Sequence, residues 1–132
     1  MSDVNGNFKV QLETIESAYE FMLAYAAQGR ETDAGAAQSP SIREMLKALH
    51  DALRVVAASL SAACTDDDLT DLAHCIDDDA NKALVSVAVT LHSPVISSQL
   101  VDNLNASIHL RAVLTGLFLA DEALKIRIDP TD

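Results

Sequence analysis

Ile108-His-Leu-Arg-Ala-Val-Leu-Thr-Gly-Leu-Phe-Leu-Ala120 decides how this chain is read, because only His109, Arg111 and Thr115 carry polar side chains in it. The run is too short to cross a bilayer, which takes about 20 apolar residues. At helical pitch its apolar positions, with their neighbours, divide between two faces. Leu110, Val113, Leu114, Leu117, Ala120 and Leu124 fall on one; Val101, Leu104, Ile108 and Leu119 fall on a second, well rotated from the first. A helix apolar on two sides has to be covered on two sides. This segment is therefore expected to be the most buried helix, packed by the others and, on its second face, by a helix of another subunit.

Upstream, the same periodicity marks three more helices. Phe8, Leu12, Ile15, Tyr19, Met22 and Ala26 alternate steps of four and three, the spacing of a bundle seam, and predict a helix from about Asn7 to Gln28. Gly29 stops it. Residues 1–6 are expected to fray, and 29–39, rich in small residues, to form a mobile linker. The second helix starts either where Ser39 precedes Pro40 or where Ser41 and Glu44 form a capping box. Its seam is Ile42, Leu46, Leu49, Leu53, Val56 and Leu60, and it ends near Ala63.

Thr65 is the expected N-cap of the third helix, with Asp66, Asp67 and Asp68 at the positive end of the helix dipole. Leu69, Leu72, Ile76, Ala80, Ala83, Leu84, Val87 and Leu91 run through Asp77-Asp78-Asp79, so the helix is expected to be continuous there. The β-branched cluster Val85, Val87, Val89 and Thr90 leaves a strand as the alternative. Ser93-Pro94 ends the third helix and starts the fourth, which reaches about Lys125 and leaves 127–132 as a frayed tail. Four helices with mostly short connections predict a single all-α domain over residues 1–132, an antiparallel four-helix bundle.

A formal net charge of −11 argues against nucleic acid or an anionic membrane as partner. Residues 1–7 lack the basic start and apolar core of a secretory signal. Cys64 and Cys75 are expected to stay as free thiols, which suits a reducing, cytoplasmic setting. In such a setting the Asn105-Ala-Ser107 acceptor pattern is without use.

Two rows of charge are candidate interaction surfaces. Arg43, Lys47, His50 and Arg54 share one stripe of the second helix; Asp67, Asp71, His74 and Asp78 share one stripe of the third at the same spacing. Both read as solvated faces or loose salt bridges, or else as recognition surfaces for a partner. Arg111 and Asp121 are charges within the apolar C-terminal helix; they are not neighbours on one turn, and pairing across a two-fold axis would satisfy both. His109 reads as a hydrogen-bonded structural residue, and His92 as a helix-terminal one.

Signals for chemistry are thin. Asp71-x-x-His74 with Asp78 one turn on is a weak metal candidate, but the chain has no Glu-x-x-His pair of the di-iron bundles. Arg43 and His50, with six residues between them, resemble the HEPN-type helical ribonucleases in that spacing, although Glu44 stands where that family more often has Asn, Asp or His. His50 is similarly placed to the exposed histidine of phosphotransfer bundles, which carry Lys and Gly just after it, whereas Leu53 and Arg54 stand here. Neither spacing assigns a family. No phosphate loop, nucleophile elbow, dinucleotide fingerprint or zinc pattern is present.

The expectation is thus a non-catalytic adaptor, regulatory or structural protein acting through protein–protein contacts, self-associating as a homodimer and needing no cofactor. The alternatives are a bundle holding a small ligand or metal near Tyr19, Tyr25 and His109, an acidic inhibitor covering a basic target through 66–79, and a helical nuclease using Arg43 and His50.

Overall fold

In the computed structural model the described residues are 4–35 and 40–128, the side chains of 4–6 and 128 aside. They form five helices and no strand: α1 (Val4–Ala26), α2 (Ile42–Ala63), α3 (Asp67–Leu91), α4 (Ser98–Asn105) and α5 (Ile108–Ile128). The chain is all-α, but the four helices expected from sequence are five. α1 begins within the stretch expected to fray, and α5 runs into the expected tail as far as Ile128.

Side-chain caps set the starts of α2, α3 and α4. Ser41 caps α2: its Oγ accepts from Glu44 N at 3.1 Å, while Ser41 N donates to the Glu44 carboxylate at 2.7 Å. Ser39 lies outside the described residues. At α3 the cap is Asp66, one residue beyond the expected Thr65. Asp66 accepts from Leu69 N at 2.9 Å, and a carboxylate there meets both the unpaired N–H and the positive end of the helix dipole. α3 passes unbroken through Asp77–Asp79 and the β-branched run, because Ile76, Ala80, Ala83 and Val87 all reach the core.

Where one last helix was expected, two are found. After Pro94 the chain remains irregular until Ser97 caps α4, its Oγ accepting from Leu100 N at 3.0 Å. α4 ends at Asn105 and is capped by Ala106, whose N–H donates to Asp102 O at 3.1 Å; α5 begins as Arg111 N donates to Ser107 O at 3.2 Å. Asn103, Asn105 and Ser107 are weak helix formers, which lowers the cost of a break here. The break lets α4 lie against α1 while α5 packs chiefly against α3.

Seam residues form one core. All six expected in α2 are buried, as are Phe8, Leu12, Ile15 and Met22 of α1. In α1 the buried stripe turns toward Ala18 and Tyr25, leaving Tyr19 and Ala26 partly covered, since a straight helix drifts away from a seven-residue repeat. Gly116 faces Ile76: a Cβ there would stand 2.9 Å from Ile76 Cγ1, so glycine permits the close approach of α5 to α3.

Candidate functional site

The charged rows separate in the fold. Arg43 leaves the basic row for a structural clasp. Its Nε lies 2.7 Å from Asp33 Oδ2, and its two Nη groups donate to the carbonyls of Leu91, Ser93 and Pro94 at 3.0–3.1 Å. Asp33 Oδ1 also accepts from Ile96 N at 2.9 Å. The Arg43 guanidinium beside Asp33 holds that carboxyl below its usual range, helped by the Ile96 N–H and opposed by partial burial. Lys47 and Arg54 are exposed and His50 half-buried, and none of the three has an ion-pair partner among the described residues.

The linker beside this clasp is tied to the fold at Arg30 as well as at Asp33, and positions 36–39 of the expected mobile stretch lie outside the described residues. Arg30 N donates to Ser98 Oγ at 2.8 Å, Ser98 N donates to Arg30 O at 2.8 Å, and Ser98 Oγ donates to Tyr25 O at 2.7 Å. The Tyr25 hydroxyl donates to Ile96 O at 2.6 Å, and burial raises its pKa. Gly29 and Gly35, with φ of 67° and 76°, supply the left-handed turns that bring these partners together.

The acidic row keeps to the outside of α3. Asp67, Asp71, His74 and Asp78 are exposed and make no ion pair among the described residues. Their neighbours do. Asp66 pairs with Arg127, and Asp79 lies 3.0 Å from His109 Nδ1; both join α5 to α3. The Leu69 N–H at the α3 terminus, followed by Arg127, holds the Asp66 carboxyl below its usual range. Sequence reasoning missed Asp66 and Asp79 as partners because spacing within a helix says nothing of what lies across from it.

Asp121 is satisfied within one chain. It accepts from Lys9 Nζ at 3.1 Å and lies 3.4 Å from Lys125 Nζ, so Lys9 ties α1 to α5. Arg111 is exposed and has no ion-pair partner among the described residues. It lies in an open groove between α1 and α5 with Glu16, Tyr19, Leu23, Leu114 and Phe118.

The second apolar face of the C-terminal segment divides at the α4–α5 break. Val101 and Leu104 are buried on α4, whereas Ile108 and Leu119 are 73% and 60% exposed on α5. Ile126, 59% exposed, extends their row. Thus the described residues cover α5 on one face only, and the other face presents large apolar side chains to solvent. Phe118 and Leu23, on the lip of the groove, are also exposed.

The residues of the ligand constellation do not converge. Tyr25 is bonded to Ile96, Tyr19 lines the groove, and His109 faces α3, so these three do not surround one pocket. Among the described residues no group of three His, Cys, Asp or Glu side chains is placed to hold a metal ion, Asp71, His74 and Asp78 included. Arg43 spends its donors on Asp33 and backbone carbonyls, two helical turns from His50. Both cysteines are free; Cys64 donates to Leu60 O at 3.1 Å, and burial pushes its thiol up, away from the reactive thiolate. Among the described residues no helix is long and apolar enough to cross a membrane. No protein-family model, curated protein or solved structure matches this chain.

Proposed function

We propose that this protein is a non-catalytic helical domain that works by protein–protein contact, as an adaptor, regulatory or structural component. The observation that carries the reading is the outer face of α5, where Ile108, Leu119 and Ile126 stand in solvent along one side of a single helix. Single exposed apolar side chains are ordinary on protein surfaces, but a row of them along one helix is the kind of surface that partners cover. The architecture is read as an antiparallel four-helix bundle whose fourth member is interrupted, with α4 and α5 in its place. Two free thiols suit a reducing, cytoplasmic setting.

A photo-crosslinking amino acid placed at position 119 of the full chain, in cells that make the protein, tests this reading. Covalent protein adducts are expected from 119 and not from Asp51, an exposed position on α2. Equal or absent crosslinking at the two positions would overturn it.

A second reading is favoured by the exposed acids of α3 that have no ion-pair partner among the described residues. Asp67, Asp71 and Asp78 form a negative row suited to a basic protein surface, as in an inhibitor that covers its target. Binding through this row would weaken steeply with salt and with Asp71→Asn plus Asp78→Asn, and would ignore changes on α5.

A further inference from the structure

The exposed row on α5 has an internal symmetry. Ile108 and Ile126 are 18 positions apart, about five whole turns at 3.6 residues each, so they lie on the same line of the helix surface. Thr115 and Leu119 lie between them, equally distant from the two ends. Arg111 and Glu122 are eleven positions apart, about three turns, on one edge of the row; Ala112 and Ala123, also eleven apart, occupy the other edge. All four pairs share nearly the same midpoint, beside Leu117. Thr115 and Glu122 are exposed, and Ala112 and Ala123 are half-buried, so the whole row is open.

We propose that the outer face of α5 packs antiparallel against the same face of a second copy of this chain, about a two-fold axis close to Thr115 and Leu119. This rests on the protein–protein reading above and names the partner. A two-fold axis lying between antiparallel helices, perpendicular to both, sets each residue opposite the one equally far beyond the midpoint and keeps each edge on its own side. Ile108 then meets Ile126 of the partner subunit, Thr115 meets the partner's Leu119, and Ala112 meets the partner's Ala123, where small side chains allow close approach. On the other edge Arg111 reaches Glu122 of the partner subunit, twice per dimer. Within one chain Arg111 and Glu122 stand about 16 Å apart along the helix and cannot pair. The nearer acids in the groove, Glu16 and Glu20, make no ion pair with Arg111.

A parallel two-fold pairing would turn each edge to the opposite side of the seam, so Arg111 and Glu122 would face the small Ala112–Ala123 edge of the partner subunit and find no opposite charge. The antiparallel pairing satisfies both. Its apolar seam is about 27 Å long and one helix wide, at the low end of specific interfaces, and each chain carries a formal charge of −11. The dimer is therefore in measurable exchange with monomer and is strengthened by salt.

Sedimentation equilibrium of the full chain over a wide concentration range tests the proposal, with circular dichroism to confirm that each variant keeps its helices. The expected result is a monomer–dimer equilibrium that Leu119→Glu shifts at least tenfold toward monomer. Arg111→Glu and Glu122→Arg each shift it the same way, and the double variant Arg111→Glu/Glu122→Arg restores it, since charge exchange can compensate only between chains. A monomer at every concentration, a dimer indifferent to Leu119→Glu, or a double variant no better than the singles would overturn the proposal. Adducts from position 119 to a different protein, with none to a second copy, would overturn it too while leaving the protein–protein reading intact. No adduct from 119 would remove both.

Discussion

Arg43 Nε stands 2.7 Å from Asp33 Oδ2, and that pair closes the linker over the α3–α4 connection. The other donors of Arg43 hold the Leu91, Ser93 and Pro94 carbonyls, while Asp33 takes the Ile96 N–H. Three stretches of chain that sequence shows as loops or loop ends are joined through one guanidinium and one carboxylate.

Because Arg43 favours the ionised form of Asp33, its folded pKa lies below the usual 3.8. The stabilisation is complete above that value and is lost as pH falls through the lowered folded value. Asp33→Asn should cost about 1.5–3 kcal/mol at neutral pH, the range for hydrogen bonds to charged groups. Urea unfolding at stepped pH should show a constant gap between wild type and variant above about pH 5 and a shrinking gap below 3.8. A gap that does not change with pH would refute the pairing.

Ser98 is buried and serves as both donor and acceptor, to Tyr25 O and from Arg30 N. Ser98→Ala leaves both backbone groups without this partner and should destabilise by about 1–3 kcal/mol. Amide hydrogen exchange should locate the loss at Arg30 and the start of α4, with α3 unaffected.

Gly116→Ala gains up to about 1 kcal/mol of helix propensity, yet the new methyl meets Ile76 at 2.9 Å from Cγ1. Overpacking costs about 1–3 kcal/mol, so the variant should be less stable than wild type. In an Ile76→Ala background the same change should become favourable. A double-mutant cycle showing no coupling would refute the close approach.

Asn105 is 5% exposed, and neither atom of its side-chain amide has a hydrogen-bond partner among the described residues. Asn105→Leu, close in size, should raise stability by about 1–3 kcal/mol, the cost of a buried polar group left unpaired. Thermal unfolding measures this directly. The burial also closes the Asn105-Ala-Ser107 pattern to a glycan in the folded chain, for a geometric reason that adds to the compartment argument.

Much of the core was legible in the sequence, because helix periodicity depends on neighbours three and four positions away. The α2 seam from Ile42 to Leu60 is buried throughout, and the Ser41–Glu44 box opens that helix. The α5–α4 division was less visible. Periodicity carries across the two-residue connection at Ala106-Ser107, so Val101 and Leu104 looked like members of the row that holds Ile108 and Leu119.

Sequence alone determined that this chain is helical, acidic and apolar on two sides of its last segment, since composition and spacing are properties of the chain itself. Only the tertiary structure decided that α4 hides its share of that second face while α5 leaves Ile108, Leu119 and Ile126 in solvent. It also decided the pairs Asp66–Arg127, Asp79–His109 and Asp121–Lys9. Those partners lie 30 to 112 positions apart. At such separations the meeting of two charges depends on how whole helices are placed, and helix spacing carries no record of that.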